Sequence, residues 1–205
     1  MLVKVCGIAN PEFIYQIDDI PINLIGFIFY PASKRFVANK LSTKLINSVP
    51  EHIKKVGVFV NEKEERILNI ADKYQLHFVQ LHGDEDASFV KNISQKLHVI
   101  KAFRINEAFN FEPLTSFDDH CSYFLFDTKD KLYGGTGKKF NWDILHKYAG
   151  NTPFILSGGI TPDDVKNIKQ IKHPKFLGID INSGFETAPG KKNIPQIQSF
   201  LNQLI

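Results

Sequence analysis

Short β-branched and aromatic runs alternate with helix-periodic stretches from one end of the chain to the other. The pattern predicts strands at Leu2–Cys6, Leu24–Phe29, Lys55–Val60, His77–His82, His98–Phe103, Ser122–Asp127, Pro153–Ser157 and Leu177–Asn182. Helices are expected at Glu62–Tyr74, Glu85–Lys96, Asp163–Lys169 and Ile194–Leu204; Asn106–His120, with Pro113 inside it, is the poorest helical stretch. Within the strands one parity is apolar: Val3 and Val5; Val56, Val58 and Val60; Val79 and Leu81; Phe124 and Phe126; Leu177, Ile179 and Ile181. It suits an outer wall covered by helices. The other parity holds Lys4, Cys6, Gln80, His82, Lys101, Asp127, Ser157, Asp180 and Asn182. An open doubly wound sheet would bury both faces under helices and tolerate few of these polar groups. A closed (β/α)8 barrel of α/β class points them inward, toward a mouth at the strand C-termini. Eight units in 205 residues are compact for such a barrel, so some helices must be short or missing.

Two late segments sharpen the picture. Phe154–Thr161 (FILSGGIT) and Phe176–Gly184 (FLGIDINSG) are strand-like runs that stop in glycine-containing turns, and the first opens onto the helix-like stretch Pro162–Ile171. Glycine lets backbone N–H groups approach an anion, and a helix N-terminus adds a favourable dipole. Consecutive turns of this kind at the end of an alternating chain match the phosphate site between strands 7 and 8 of a barrel. The expected ligand is a small phosphorylated molecule.

Composition narrows the function classes. Apolar residues make up 43% and charged residues 23%, an ordinary globular balance, and one domain spanning residues 1–205 is expected. A net charge of +3, with basic doublets (Lys54-Lys55, Lys138-Lys139, Lys191-Lys192) scattered along the chain, argues against nucleic acid as a partner. MLVKVCGI is interrupted too early for a signal peptide, and no run could span a bilayer, so no membrane partner is expected. Cys6 and Cys121, far apart and outside any CxxC, fit a reducing cytoplasm. HExxH, HxH, GxSxG, Walker A and strand-linked GxGxxG patterns are all absent. A catalytic metal is not expected, and hydride transfer and nucleotide hydrolysis lose ground.

The mouth residues each carry two readings. Cys6 is either a small buried hydrophobe or a thiolate acting as base or nucleophile beside an ionisable partner. Asp127 either caps the following loop or is a carboxyl group held at the site. Arg35, in the loop FYPASKRFV after strand 2, is either solvated or a fork for a carboxylate or phosphate. His82 and Asp180 are satisfied core polar groups or site residues, with Lys4 the expected partner of Asp180. The glycines of YGGTGKKF (Gly134, Gly135, Gly137) form a flexible loop or one that closes over ligand. Cys121 is structural.

These segments together closely resemble the phosphoribosylanthranilate isomerase family of tryptophan biosynthesis. The match runs through VKVCGI (3–8), GFIFYPASKRFV (26–37), VGVFVN (56–61), VQLHGDE (79–85), FLFDT (124–128), GGTGKKFNW (134–142), ILSGGITPDDV (155–165) and GIDINSGFETAPGKKN (178–193). The resemblance implies a (β/α)8 barrel, no cofactor and an Amadori rearrangement of the phosphoribosyl amine of anthranilate into its ribulose form; the expected assembly is a monomer or homodimer. It puts the general base on Cys6, the general acid on Asp127 and the grip on the anthranilate carboxylate on Arg35. It puts the phosphate turns on Gly158, Gly159, Ser183 and Gly184, and lines the site with His82 and Asp180. Where the family pattern leads one to expect two small hydroxyl residues, this chain has Asn182-Ser183; the amide of Asn182 would then replace one hydroxyl as a donor. A barrel aldolase using Lys101 as a Schiff-base lysine, a catalytically silent phosphate-binding barrel and a fragment of a bifunctional enzyme are the competing readings. The opening methionine and eight complete units favour a free-standing enzyme.

Overall fold

A computed structural model describes residues 1–128 and 139–205. Eight parallel strands close on themselves in sequence order: β1 (Leu2–Val5), β2 (Leu24–Ile28), β3 (Lys54–Phe59), β4 (Phe78–Leu81), β5 (His98–Ile105), β6 (Tyr123–Thr128), β7 (Phe154–Leu156) and β8 (Phe176–Ile181), with β8 pairing back to β1. The crossovers are uneven, as the short chain requires. Among the described residues only α3 (Glu64–Tyr74), α4 (Ala87–Ser94) and α6 (Ile194–Leu204) reach two turns or more; α1 (Pro11–Tyr15), α2 (Thr43–Asn47) and α5 (Val165–Gln170) are shorter. Glu112–His120 and Trp142–Lys147 are 3-10 segments, the first fitting the proline at its start. A short hairpin, β9 (Glu186–Ala188) with β10 (Lys191–Lys192), follows β8 and had no counterpart in the strand pattern. Among the described residues no helix is long and apolar enough to cross a membrane.

Two apolar clusters divide the strands. Leu24, Val56, Ile100, Ala102, Leu125 and Ile155 form a separate cluster that fills the barrel, with Leu2, Phe78 and Tyr123 packed against it. Val3, Val5, Phe59, Val79, Leu81, Val99, Phe124, Phe126 and Ile179 join the helices in the larger outer cluster. The expected parity holds for β1, β4, β6 and β8 but is reversed in two strands. Val56 lies inside, and Val58, in register with Gln80, shares that side; the outer positions of β3 go to Lys55, Gly57 and Phe59. Lys101, in register with Leu81 and Phe124, faces outward. There its ammonium meets Glu85 at 2.9 Å and the carbonyls of Leu81, Gly83 and Ala102. The lower layers of a barrel are as apolar inside as out, so alternating valines fit either parity. A Schiff-base role for Lys101 at the mouth is therefore excluded by its placement.

Candidate active site

Cys6 follows the last residue of β1 and is tied to β8 by its N–H, which donates to the Ile181 carbonyl at 2.9 Å. Its side chain is buried, and Gly26 on β2 makes room for it: a methyl group there would sit 2.7 Å from Sγ. The same point is 3.2 Å from Lys4 Nζ, so thiol and ammonium share one corner of the barrel. Lys4 is fully buried and pairs with Asp180 on β8 at 2.8 Å. Burial works against the Lys4 charge, but Asp180 and Cys6 more than offset it and hold its pKa above the usual lysine value. Burial also pushes the Cys6 thiol up, against the pull of Lys4 and Lys192. Asp180 is likewise raised by burial, opposed by Lys4. Its second oxygen, Oδ1, is buried and has no hydrogen-bond partner among the described residues.

Across the mouth, Asp127 ends the inward row of β6. Its Oδ2 lies 3.1 Å from His82 Nε2, and His82 Nδ1 lies 2.7 Å from Gln80 Nε2. The Gln80 amide thus holds the ring at Nδ1, and Nε2 shares a proton with Asp127. Asp127 Oδ1 accepts from the Thr128 N–H at 2.9 Å. Lys4 with Asp180 and His82 with Asp127 thus form two polar pairs whose carboxyl groups act on one another electrostatically, with Cys6 beside Lys4.

Arg35 reaches the site from a loop that folds back on β2: the Val37 N–H donates to the Ile28 carbonyl, and Ser33 Oγ accepts from the Arg35 N–H. Its stem crosses Gly7, where φ is +74° and a methyl group would lie 2.6 Å from Arg35 Cδ. Gly7 therefore serves both the turn and the close approach. The guanidinium pairs with Glu186, a residue to which the strand pattern gave no role.

The two glycine turns meet. Gly158 and Gly159 have φ of +89° and +68°, and Gly184 lies against the Ile160 carbonyl. Among the described residues the Gly158 and Gly159 N–H groups have no acceptor. A 3-10 turn, Ser183–Phe185, opens at the second glycine turn. The helix start at Pro162 is different from expectation. The Asp164 carboxylate accepts from the Thr161 N–H (2.7 Å) and hydroxyl (3.0 Å) and is paired with Lys139, so a protein anion already occupies it. Asn182 presents Oδ1 to Lys192 at 2.8 Å and lies over Gly7. Residues 134, 135 and 137 lie outside the described residues. Cys121 is half-buried just before β6, where burial pushes its thiol up to about 12. Among the described residues no group of three or more His, Cys, Asp or Glu side chains could hold a metal ion.

Sequence reasoning missed Glu186 and Lys192. Lys192 was one of the scattered basic residues, yet its side chain is fully enclosed and burial pulls its pKa down to about 8. The available signal was the turn PGKK, in which Gly190 has φ of +86° and folds the hairpin over the mouth.

Residues 3–203 match the family model of N-(5′-phosphoribosyl)anthranilate (PRA) isomerase. The N-(5′-phosphoribosyl)anthranilate isomerase of Parabacteroides distasonis is 43% identical over 208 residues, covering 100% of this chain and 94% of its own. The crystal structure of phosphoribosyl anthranilate isomerase from Thermotoga maritima superposes with a TM-score of 0.86 at 34% identity, over 100% of this chain and 98% of that one. A phosphoribosyl anthranilate isomerase in complex with reduced 1-(o-carboxyphenylamino)-1-deoxyribulose 5-phosphate gives 0.83 at 32% identity, with the same coverage.

Proposed function

Because the chain belongs to the N-(5′-phosphoribosyl)anthranilate isomerase family, we propose that Cys6 and Asp127 are the base and acid of that isomerisation. The reaction is an intramolecular oxidoreduction in tryptophan biosynthesis: the aldose of N-(5-phosphoribosyl)anthranilate becomes the ketose of 1-(2-carboxyphenylamino)-1-deoxyribulose 5-phosphate. In our reading residues 1–205 act as one domain, in the cytoplasm, on a phosphorylated small molecule.

The mechanism requires the Asp127 carboxyl to carry a proton in the bound complex, which it gives to the furanose ring oxygen as the C1–O bond breaks, while the anilino lone pair forms C=N. The resulting iminium acidifies the proton on C2. Cys6, as thiolate, removes that proton, and the electron pair neutralises the iminium to an enolamine. Tautomerisation to the ketone completes the transfer, with no net gain or loss of electrons. Lys4 and Lys192 favour the thiolate that burial disfavours. His82, held by Gln80, orients Asp127. We assign Asp180 Oδ1, which has no partner among the described residues, to accept from a hydroxyl of the ribosyl group. Arg35 holds the anthranilate carboxylate, and the N–H groups at Gly158, Gly159, Ser183 and Gly184 hold the phosphate. These grips orient the substrate more than they do chemistry.

The observation that carries this reading is the pair of polar clusters at the mouth, with a buried thiol beside an ammonium at one wall and a histidine-held carboxyl at the other. The test is turnover of phosphoribosylanthranilate, followed by its fluorescence, for wild type, Cys6→Ala and Asp127→Ala. Each variant, still folded, should lose about 10²–10⁴-fold in kcat. A folded Cys6→Ala or Asp127→Ala enzyme with undiminished kcat would remove that residue from the mechanism.

A further inference from the structure

The hairpin after β8 carries two buried charges: Glu186, to which the reaction above gives no task, and Lys192, whose only task there is its pull on the Cys6 thiol. Glu186 on β9 and Lys192 on β10 are paired in register, and both side chains are almost wholly enclosed. The Glu186 carboxylate accepts from Arg35 Nε at 2.9 and 3.0 Å and from Arg35 Nη2 at 2.6 Å. It also accepts from Lys192 Nζ at 2.7 Å and from the Gly190 N–H at 3.1 Å. Lys192 in turn donates to the Asn182 carbonyl at 3.2 Å and to Asn182 Oδ1 at 2.8 Å, which fastens the hairpin to the end of β8. The Ala9 N–H donates to the Gly190 carbonyl, so the hairpin is also tied to the loop after β1 that carries Cys6 and Gly7.

Two features separate positioning from competition. A guanidinium has five N–H donors, and Glu186 uses the Nε and Nη2 edge alone. The Nη1 side makes no hydrogen bond among the described residues, so a second carboxylate can be held while Glu186 stays in place. The charges point the same way. With Cys6 as a neutral thiol, Arg35 and Lys192 against Glu186 leave one positive charge unmatched, and an anionic ligand group would complete the cluster.

We infer that Glu186 and Lys192 are positioning residues for Arg35: the hairpin clamps one edge of the guanidinium so that its free edge is preorganised for the anthranilate carboxylate. This rests on the reading that Arg35 binds that carboxylate. If Glu186 instead competed with substrate for Arg35, removing its charge would tighten binding. The two roles predict opposite signs in KM.

The experiment is steady-state kinetics on Glu186→Gln, Glu186→Asp, Arg35→Ala and the Arg35→Ala/Glu186→Gln double variant, with thermal melting for each. Glu186→Gln should raise KM about 10- to 100-fold, the range for losing hydrogen bonds between charged groups, and leave kcat within about threefold. Glu186→Asp should recover part of the loss. In the Arg35→Ala background the second substitution should leave KM unchanged, because nothing remains to be positioned. The constant for inhibition by inorganic phosphate should be the same in wild type and Glu186→Gln, which a general loosening of the mouth would not allow. A folded Glu186→Gln with unchanged or lowered KM overturns the inference. Should that variant not fold, Lys192→Met carries the test, and an unchanged KM there overturns it equally. If Arg35→Ala itself leaves KM unaltered, the reading of Arg35 fails and the inference with it. If Arg35→Ala raises KM and Glu186→Gln does not, the positioning role alone fails.

Discussion

Replacing Gly26 by alanine places one methyl group in the corner that holds the thiol and the ammonium. The new carbon would stand 2.7 Å from Cys6 Sγ, 3.1 Å from Cys6 Cα and 3.2 Å from Lys4 Nζ. Carbon and sulfur need roughly an ångström more, and the Lys4 side chain, pinned by Asp180, has little freedom to yield. Backbone movement is restrained as well, since the Gly26 carbonyl accepts from both the Gly7 and Ile8 N–H groups. The cheapest escape is rotation of the cysteine side chain away from β2. Overpacking of this size costs about 1–3 kcal/mol, partly offset by about 0.4–1 kcal/mol from a stiffer unfolded chain. For a domain of this length the melting temperature should drop by about 2–4 °C per kcal/mol of net loss. The catalytic effect is larger: misplacing the base by about 1 Å should lower kcat about 100-fold. KM should change little, because Arg35 and the glycine turns are untouched. Fluorescence-detected turnover and a thermal melt on the same preparation decide it. A kcat within about threefold of wild type would mean that the thiol does not need this place.

Two further outcomes follow from the buried titratable groups. Lys4→Met removes the nearest cation from a thiol that burial already pushes up, so the ascending limb of kcat/KM against pH should move to higher pH, with about a tenfold loss at fixed pH for each unit. A limb that stays in place would exclude Lys4 from stabilising the thiolate. Cys121 stays protonated to about 12 in the folded chain but ionises in its usual range when unfolded. Between those values the unfolded state binds fewer protons, so this group's contribution to stability is intact below the unfolded pKa and declines as pH rises toward 12. Tyr148, raised by burial, acts in the same direction, and Lys192, lowered by burial, in the opposite one. The difference between wild type and Cys121→Ala in denaturant unfolding isolates the thiol, and its stability should fall less steeply above about pH 9. Parallel curves would contradict the burial assigned to Cys121.

The strand count, the closure and the polar parity at the mouth were all legible along the chain, because a strand ending at a barrel mouth must change from apolar to polar at its last inward position. Cys6, Asp127, His82 and Asp180 stood out for that reason, and Lys4 and Asp180 do form the expected pair. Parity was ambiguous wherever both faces are apolar, so Val56 and Lys101 were assigned to the wrong side, and only the register with neighbouring strands decided them. Local pattern also could not reveal Glu186 and Lys192: two charged residues in a turn read as solvated until a hairpin folds them under Arg35. What a residue does locally, its period, its turn and its strand end, is written in near neighbours along the chain. Which charges become partners is settled between residues as distant as 35 and 186, where burial removes water and leaves each ion to be satisfied by another.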